Sequence, residues 1–271
     1  MLITGIDQEK CTLCGLCREE CITRFFINEQ KQKIEFQDPD GSCMRCGHCI
    51  AVCLEDAILY EGTTDKTYSF EEMNTLEEII SYDAFYKFAR AHRSIRHYEK
   101  KPISPELLKK VVDVMQYAPT GRNMRTEMYT IVSGAEKLKE LSDAALEVIS
   151  QEPMMGKAIV ASFEARKSMY DVPFYYDAPH LVIVSSAIDL PLENYNIGIS
   201  VTYGRIAAQS LGLGTCWSGY TQLAAKMDKN ILKIAGAPGS KCGAFTIGYP
   251  AIKYQRCPPR THRAINGLED V

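Results

Sequence analysis

Eight cysteines stand in two runs of identical spacing, Cys11, Cys14, Cys17 and Cys21 in CTLCGLCREEC, and Cys43, Cys46, Cys49 and Cys53 in CMRCGHCIAVC. Both runs read C-x2-C-x2-C-x3-C, and each cysteine of the second lies 32 positions after its counterpart, which makes the pair an internal repeat. Three closely spaced thiolates on a tight loop hold three corners of a four-iron cubane, and the fourth corner must come from elsewhere in space. Where two such runs share a chain, each lends its last cysteine to the other centre. The spacing therefore assigns Cys11, Cys14, Cys17 and Cys53 to one [4Fe-4S] cluster, and Cys43, Cys46, Cys49 and Cys21 to a second. Zinc fits this pattern badly, because structural zinc sites use two separated cysteine pairs for four ligands in all. A disulfide framework would call for an oxidising compartment.

Residues 1 to 60 resemble the bacterial-type dicluster ferredoxins along the whole segment. Those proteins often place proline directly after the fourth cysteine, where this chain has Ile22 and Leu54. The change spares all eight ligands and bears on loop conformation and on the potential, which surrounding hydrogen bonds and solvent exposure tune.

A second set of residues suited to chemistry lies in four short stretches: HRSIRHY at 92–98, APTGRN at 118–123, GLGTCWSGY at 212–220 and GYPAIKYQRCPPR at 248–260. Arg93, Ser94 and Arg96 offer two guanidinium forks and a hydroxyl within one turn, which suits a phosphate. Taken alone, basic residues at a helix end also match the helix dipole, and Thr120, Gly121 and Asn123 also read as a helix stop. Together and in this order the stretches resemble the FMN-dependent nitroreductases, from about residue 80 to the end.

That resemblance implies an α+β sandwich that forms an intertwined homodimer, with FMN bound non-covalently at each of two subunit interfaces. It implies flavin contacts from His92, Arg93, Ser94 and Arg96, although the family usually has arginine where His92 stands. It also implies contacts from Pro119, Thr120, Gly121 and Asn123 of the partner subunit, backbone contact near the flavin N5 from Ser218 and Gly219, and a phosphate contact from Arg260, with Arg256 as a second candidate. A fixed cation such as Arg96 near N1 and O2 would stabilise the reduced flavin. Trp217 and Tyr220 are candidates for the pocket wall or for the core. His97 is a candidate proton donor or a surface residue.

These residues need elements to place them. Residues 61–75, EGTTDKTYSFEEMNT, are polar without a sustained period and read as a linker; residues 76–271 read as the second domain. Apolar residues at helical intervals predict a helix from Leu76 to about His92. Another starts at Ser104-Pro105-Glu106, with serine as cap and proline in the first turn, and stops before Pro119 and Gly121. EMYTIVS, HLVIVSSA, GTCWSGY and GAFTIGY read as strands. Helical stretches lie between them at AEKLKELSDAALEVIS, GKAIVASFEARKSMY, ENYNIGISVTYGRIAAQSLGLG and AAKMDKNILKIAG. The alternation predicts an α+β layered domain after a small ferredoxin-like one. The glycines of SLGLGTC end a helix and lead into a strand, the reverse of a dinucleotide-binding turn, so a Rossmann-type NAD domain is not expected.

The bulk numbers agree with a globular chain: 271 residues, 46% hydrophobic and 24% charged. The net charge of −3 hides an asymmetry, since residues 1–60 hold six Lys and Arg against ten Asp and Glu, or −4, leaving +1 for the remainder. An acidic carrier suits docking on a basic patch of a redox partner, and it does not suit nucleic acid. The opening MLITGIDQEK lacks a basic region followed by an apolar run, and no stretch approaches the ~20 apolar residues of a membrane span. The expectation is a cytoplasmic protein in a reducing, anaerobic interior. Cys216, Cys242 and Cys257 are too scattered to share a site and read as isolated cysteines.

The expected function is an oxidoreductase in which two clusters accept electrons from a ferredoxin or similar donor. They pass them to FMN for the reduction of a small organic acceptor: a nitroaromatic, quinone or activated alkene. Two alternatives share these residues. One is an electron-carrier or flavin-storage module without a substrate of its own; the other is an NAD(P)H-driven flavin reductase with the clusters as electron exit.

Overall fold

The computed structural model describes residues 1–69 and 76–267. The second part of the expected linker, residues 70–75, and the last four residues of the expected second domain lie outside that range. The chain divides into two compact units, Met1–Ile79 with Thr120–Arg125, and Ile80–Pro119 with Thr126–Val271.

The first unit contains two antiparallel strand pairs. β1 (Leu2–Ile6) pairs with β4 (Ile58–Glu61), and β2 (Phe25–Asn28) pairs with β3 (Lys33–Phe36). Two short helices, α1 (Leu16–Glu20) and α2 (His48–Ala51), follow the cysteine loops, and α3 (Leu76–Ile79) closes the unit. The 32-residue repeat is written into the backbone. Leu13 and Arg45 both have positive φ, 61° and 54°, and Gly15 and Gly47, at 81° and 79°, each precede a helix. Glycine adopts that left-handed conformation without a Cβ penalty, so the chain can turn sharply between the second and third cysteines of each run. The small core joins Ile3, Phe25, Ile34 and Ile58 to Cys17 and Cys49.

The second unit has a four-stranded sheet, entirely antiparallel, in the order β5 (Met128–Ser133), β6 (His180–Ser186), β8 (Lys241–Gly248), β7 (Gly214–Trp217). β6 is buried along its whole length, as its unbroken apolar run requires. Its side chains alternate between two cores. Leu181 and Ile183 join a core with residues of α6 (Ala135–Ser150), α7 (Gly156–Arg166), α9 (Gly219–Met227) and α10 (Asn230–Ile234). Val182 and Val184 join the opposite core with α5 (Pro105–Met115) and α8 (Leu192–Ser210). The unit is thus the expected α+β layered sandwich. Among the described residues no helix is long and apolar enough to cross a membrane.

Local expectations hold in outline and differ in detail. Ser104 caps α5 by accepting from the Leu107 N–H, and Pro105 opens the helix. The single helix expected over 76–92 is two: α3 ends at Ile79, and α4 (Tyr82–Ala91) begins afresh behind Ser81, whose Oγ accepts from the Ala84 N–H. A serine that offers its own cap lets a new helix start where apolar periodicity alone reads straight through. The helix expected in AAKMDKNILKIAG likewise breaks at Asp228, whose extended backbone separates α9 from α10. The GTCWSGY strand stops at Trp217, and Gly219 already belongs to α9.

His180 ties β6 to its surroundings. Its Nε2 accepts the Ile103 N–H at 3.1 Å, and Ser133 Oγ lies 2.7 Å from its Nδ1. Burial lowers its pKa, so below about pH 6.5 the unfolded chain binds a proton that the folded chain resists, and stability falls as pH falls. His180→Ala should destabilise the unit at pH 7.5 by roughly 1–3 kcal/mol, by leaving the Ile103 N–H without its acceptor. The gap between variant and wild type should narrow at pH 5.5, which urea titrations at both pH values would measure. An unchanged gap would show that His180 does not carry the acid sensitivity.

Candidate functional site

In the first unit the cysteines gather as two sets that cross the sequence runs. Cys11, Cys14, Cys17 and Cys53 line one cavity together with Ile6, Leu16, Ile34, Ala57 and Ile58. The Cys17 thiol has a raised pKa, mainly through burial; a hydrogen bond from Arg18 opposes the rise, and Cys11, Cys53 and Cys14 add to it. The Cys49 thiol is pushed up to about 11, again mainly by burial, opposed by a hydrogen bond from Ile50 and reinforced by Cys46, Cys43 and Cys21. Each buried thiol therefore feels two partners of its own run and the last cysteine of the other.

No group of three or more His, Cys, Asp or Glu among the described residues is arranged to hold a single metal ion. Four thiols around one mainly apolar space, which Thr12 and Glu55 also line, instead suit a multi-atom cluster, which needs thiolate at each corner and little water. The Ala57 N–H donates to Cys53 Sγ at 3.2 Å, the kind of bond that stabilises a sulfur ligand's negative charge. Ile22 and Leu54, which stand where proline is common, are exposed at 71% and 82%. Leu54 nevertheless lines the cavity beside Cys53, whereas Ile22 takes no part in that lining.

The segment 120–125 belongs to this unit. It forms a 3-10 turn at Gly121–Asn123 with positive φ at Arg122, Asn123 and Arg125. The Asn123 Nδ2 donates to the carbonyls of Met44 and Arg45, at 3.2 and 2.9 Å, so its amide fastens the second cysteine loop. Thr120 Oγ1 accepts from the Arg125 N–H at 3.1 Å.

In the second unit a cavity of about 590 Å³ is lined by His92, Arg93, Ser94, Arg96, Arg205, Tyr254, Arg256, Pro258 and Arg260. Among the described residues, five guanidinium groups and no carboxylate make this lining an anion site. Its floor is set by β7. The Ile95 N–H donates to the Thr215 carbonyl at 2.9 Å, and Ser94 bridges to Thr215. Gly214 permits that approach, since an added Cβ would lie 2.7 Å from Ile95 Cγ1. Its roof is the chain after β8. Tyr98 bridges to Pro250, the Ala251 N–H donates to the His97 carbonyl, and Tyr254 OH donates to the Ser94 carbonyl at 3.5 Å. This run carries Arg256 and Arg260 to the cavity.

The remaining expected residues have these places. Arg93 lines the cavity, but its Nη1 donates to the carbonyls of Arg90 and His92, at 2.8 and 2.6 Å, and so closes the end of α4. Pro119 lies in the second unit outside the cavity lining. The Ser218 N–H is already spent on the Ala244 carbonyl at 2.7 Å, while Gly219 opens α9 and has no intrahelical acceptor for its N–H. Trp217 packs against the α5 and α8 core, and its Nε1 donates to Gln222. Tyr220 stacks on Phe174 at 4.3 Å, and its hydroxyl accepts from Arg166. Both aromatics thus make core contacts. His97 Nδ1 lies 3.4 Å from Tyr170 OH. The residue that sequence reasoning missed is Arg205, because it lies inside α8, away from every motif.

The nitroreductase family matches residues 89–249, more than half of the chain. The chain belongs to that family. An iodotyrosine deiodinase from Nematostella vectensis is 24% identical over 162 residues, which cover 55% of this chain and 61% of that protein. The chain thus spans about three fifths of that relative's length. An FMN reductase [NAD(P)H] from Bacillus subtilis is 25% identical over 182 residues, covering 66% of this chain and 70% of the relative. A nitroreductase with bound FMN from Bacteroides fragilis shares the fold, with a TM-score of 0.53 and 24% identity over 68% of this chain and 95% of that one. NADH-quinone oxidoreductase subunit I 2 from Streptomyces coelicolor is 31% identical over 75 residues, covering 21% of this chain and 38% of that protein.

Proposed function

We propose that the chain is an iron-sulfur flavoprotein oxidoreductase, in which two [4Fe-4S] clusters of the first unit provide electrons to FMN for the reduction of an organic acceptor. Nitroaromatics, quinones and activated alkenes are the acceptors to test. One observation carries this reading past family membership: the eight cysteines fall into two crossed sets of four in the same chain as a carboxylate-free arginine pocket. When bound, the clusters supply electrons singly and FMN exchanges them singly or in pairs.

The chain's own residues would hold and shield these groups. Cys11, Cys14, Cys17 and Cys53 would ligate one cluster behind Ile6, Ile34 and Ile58, and Cys21, Cys43, Cys46 and Cys49 the other. Ser94 and Arg260 would fix the FMN phosphate, Arg96 would place a cation near the flavin N1 and O2, and the Gly219 N–H would be the donor facing the flavin edge. Pro119, Thr120, Gly121 and Asn123 would contribute from the partner subunit of a homodimer. A second copy would also cover Tyr195, Ile199 and Ile206, which α8 leaves exposed. The acidic first unit would dock a protein donor such as ferredoxin in a reducing cytoplasm.

The test is anaerobic isolation, metal and flavin analysis, and then reduction by reduced ferredoxin or by NADH in separate titrations. The expected result is about eight iron atoms and one FMN per chain, with ferredoxin reducing both kinds of centre. Zinc in place of iron, or no flavin, would sink the proposal. The name of the Bacillus subtilis relative gives a specific reason to include NADH; rapid reduction by NADH alone would favour the reading in which the clusters are the exit.

A further inference from the structure

We infer that Arg205 supplies the phosphate-binding charge on the α8 side of the arginine pocket, in the place that His92 leaves uncharged. This deepens the FMN reading and rests on it. His92 is committed elsewhere: its Nδ1 lies 2.5 Å from Gln209 Oε1, and Gln209 Nε2 donates to the Phe88 carbonyl at 2.8 Å. With its amide nitrogen so used, Gln209 presents an acceptor to the ring, and Nδ1 carries the hydrogen. Burial, the largest cause, lowers the pKa of His92; the Gln209 hydrogen bond opposes the fall, and Arg205 and Arg93 add to it, so the net shift is downward and favours the neutral ring at pH 7. Arg93 is committed as well, to the carbonyls that end α4.

Arg205 lies four residues before Gln209 on α8, one turn away on the same face. Its Nε donates to Thr215 Oγ1 at 3.3 Å. Thr215 also bridges to Ser94 and accepts the Ile95 N–H, so the guanidinium is anchored at the base of the segment that presents Ser94. That bond uses Nε and leaves the two Nη groups of the fork to the pocket. Burial pulls the Arg205 pKa down, yet a guanidinium stays charged. A part-buried cation in a lining without a carboxylate is costly until an anion arrives. A phosphate monoester is such an anion, and its doubly charged form suits a cavity that Arg205, Arg256 and Arg260 all line.

The experiment titrates FMN and riboflavin, which differ by the phosphate, into flavin-free full-length protein, and follows thermal unfolding with and without inorganic phosphate. Arg205→Met should weaken FMN binding roughly tenfold to a hundredfold while leaving riboflavin binding unchanged. Adding His92→Arg to Arg205→Met should restore FMN affinity, because it returns a cation to the same corner. The flavin-free Arg205→Met protein should melt higher than the flavin-free wild type, and phosphate should raise the melting temperature of the wild type alone. Equal losses for FMN and riboflavin would reduce Arg205 to a structural prop and overturn the inference, as would unchanged FMN affinity. If the wild type binds neither flavin, the FMN reading fails. The phosphate arm then decides Arg205 separately, since a phosphate response equal in wild type and variant rejects it.

Discussion

The double variant Cys11→Ala/Cys53→Ala is expected to retain about four iron atoms per chain, half of the wild-type content, whereas Cys43→Ala/Cys53→Ala is expected to retain almost none. The contrast follows from the crossed grouping. Cys11 and Cys53 come from different runs yet line one cavity, so removing both disables one set and leaves Cys21, Cys43, Cys46 and Cys49 whole. Cys43 and Cys53 come from the same run and fall in different sets, so removing both strikes each set once. Uncrossed ligation reverses the two outcomes, which makes iron analysis of the pair decisive. Stability should follow iron. Cys17 and Cys49 are part of a small core with Ile3, Phe25, Ile34 and Ile58, and a unit of this size depends on such staples. The variant that loses both sets should therefore also lose the protease resistance of residues 1–69.

Repeating or strongly patterned features were legible in the sequence. The 32-residue repeat reads as a repeat of cluster ligands, and the structure answers it with paired αL positions and paired helices, because identical spacing around a common chemistry demands identical turns. The apolar run of β6 and the Ser104-Pro105 start of α5 were equally readable, each from one local rule. Features that depend on distant partners were not. Ser81 and Asp228 break helices whose periodicity continues across them. Asn123 reads as a turn residue, and only the folded chain brings Met44 and Arg45 to its amide. Arg205 falls on a helix whose neighbouring residues look like ordinary helix surface and core, and its value comes from Thr215 and Ser94, which approach it only through β7. His92 shows the same limit from the other side: its place in a basic run suggests a phosphate contact, while Gln209, 117 positions away, turns its ring to another task.

Deleting residues 1–75 is expected to leave a folded second unit that still binds FMN and is still reduced by dithionite, while reduced ferredoxin acts on it slowly. The two cores of that unit contain only residues from Ile103 onward, so the deletion removes no part of them. The local cost falls on the turn at 120–125. Asn123 loses the Met44 and Arg45 carbonyls, and Arg122, Asn123 and Arg125 are left in left-handed conformations that cost on the order of 1 kcal/mol each. That cost loosens a turn and spares the sheet. The functional cost is larger. A linker of about 15 residues spans roughly 20–25 Å if flexible, and a tethered carrier acts at an effective concentration on the order of millimolar. A free donor at micromolar concentration cannot match that, so reduction by ferredoxin should slow by roughly tenfold or more, with dithionite reduction unaffected. Stopped-flow reduction of both proteins under anaerobic conditions measures the ratio. Equal ferredoxin rates would show that the cysteine-rich unit is not the entry path and would leave the exit role, with NAD(P)H as donor, as the reading to pursue.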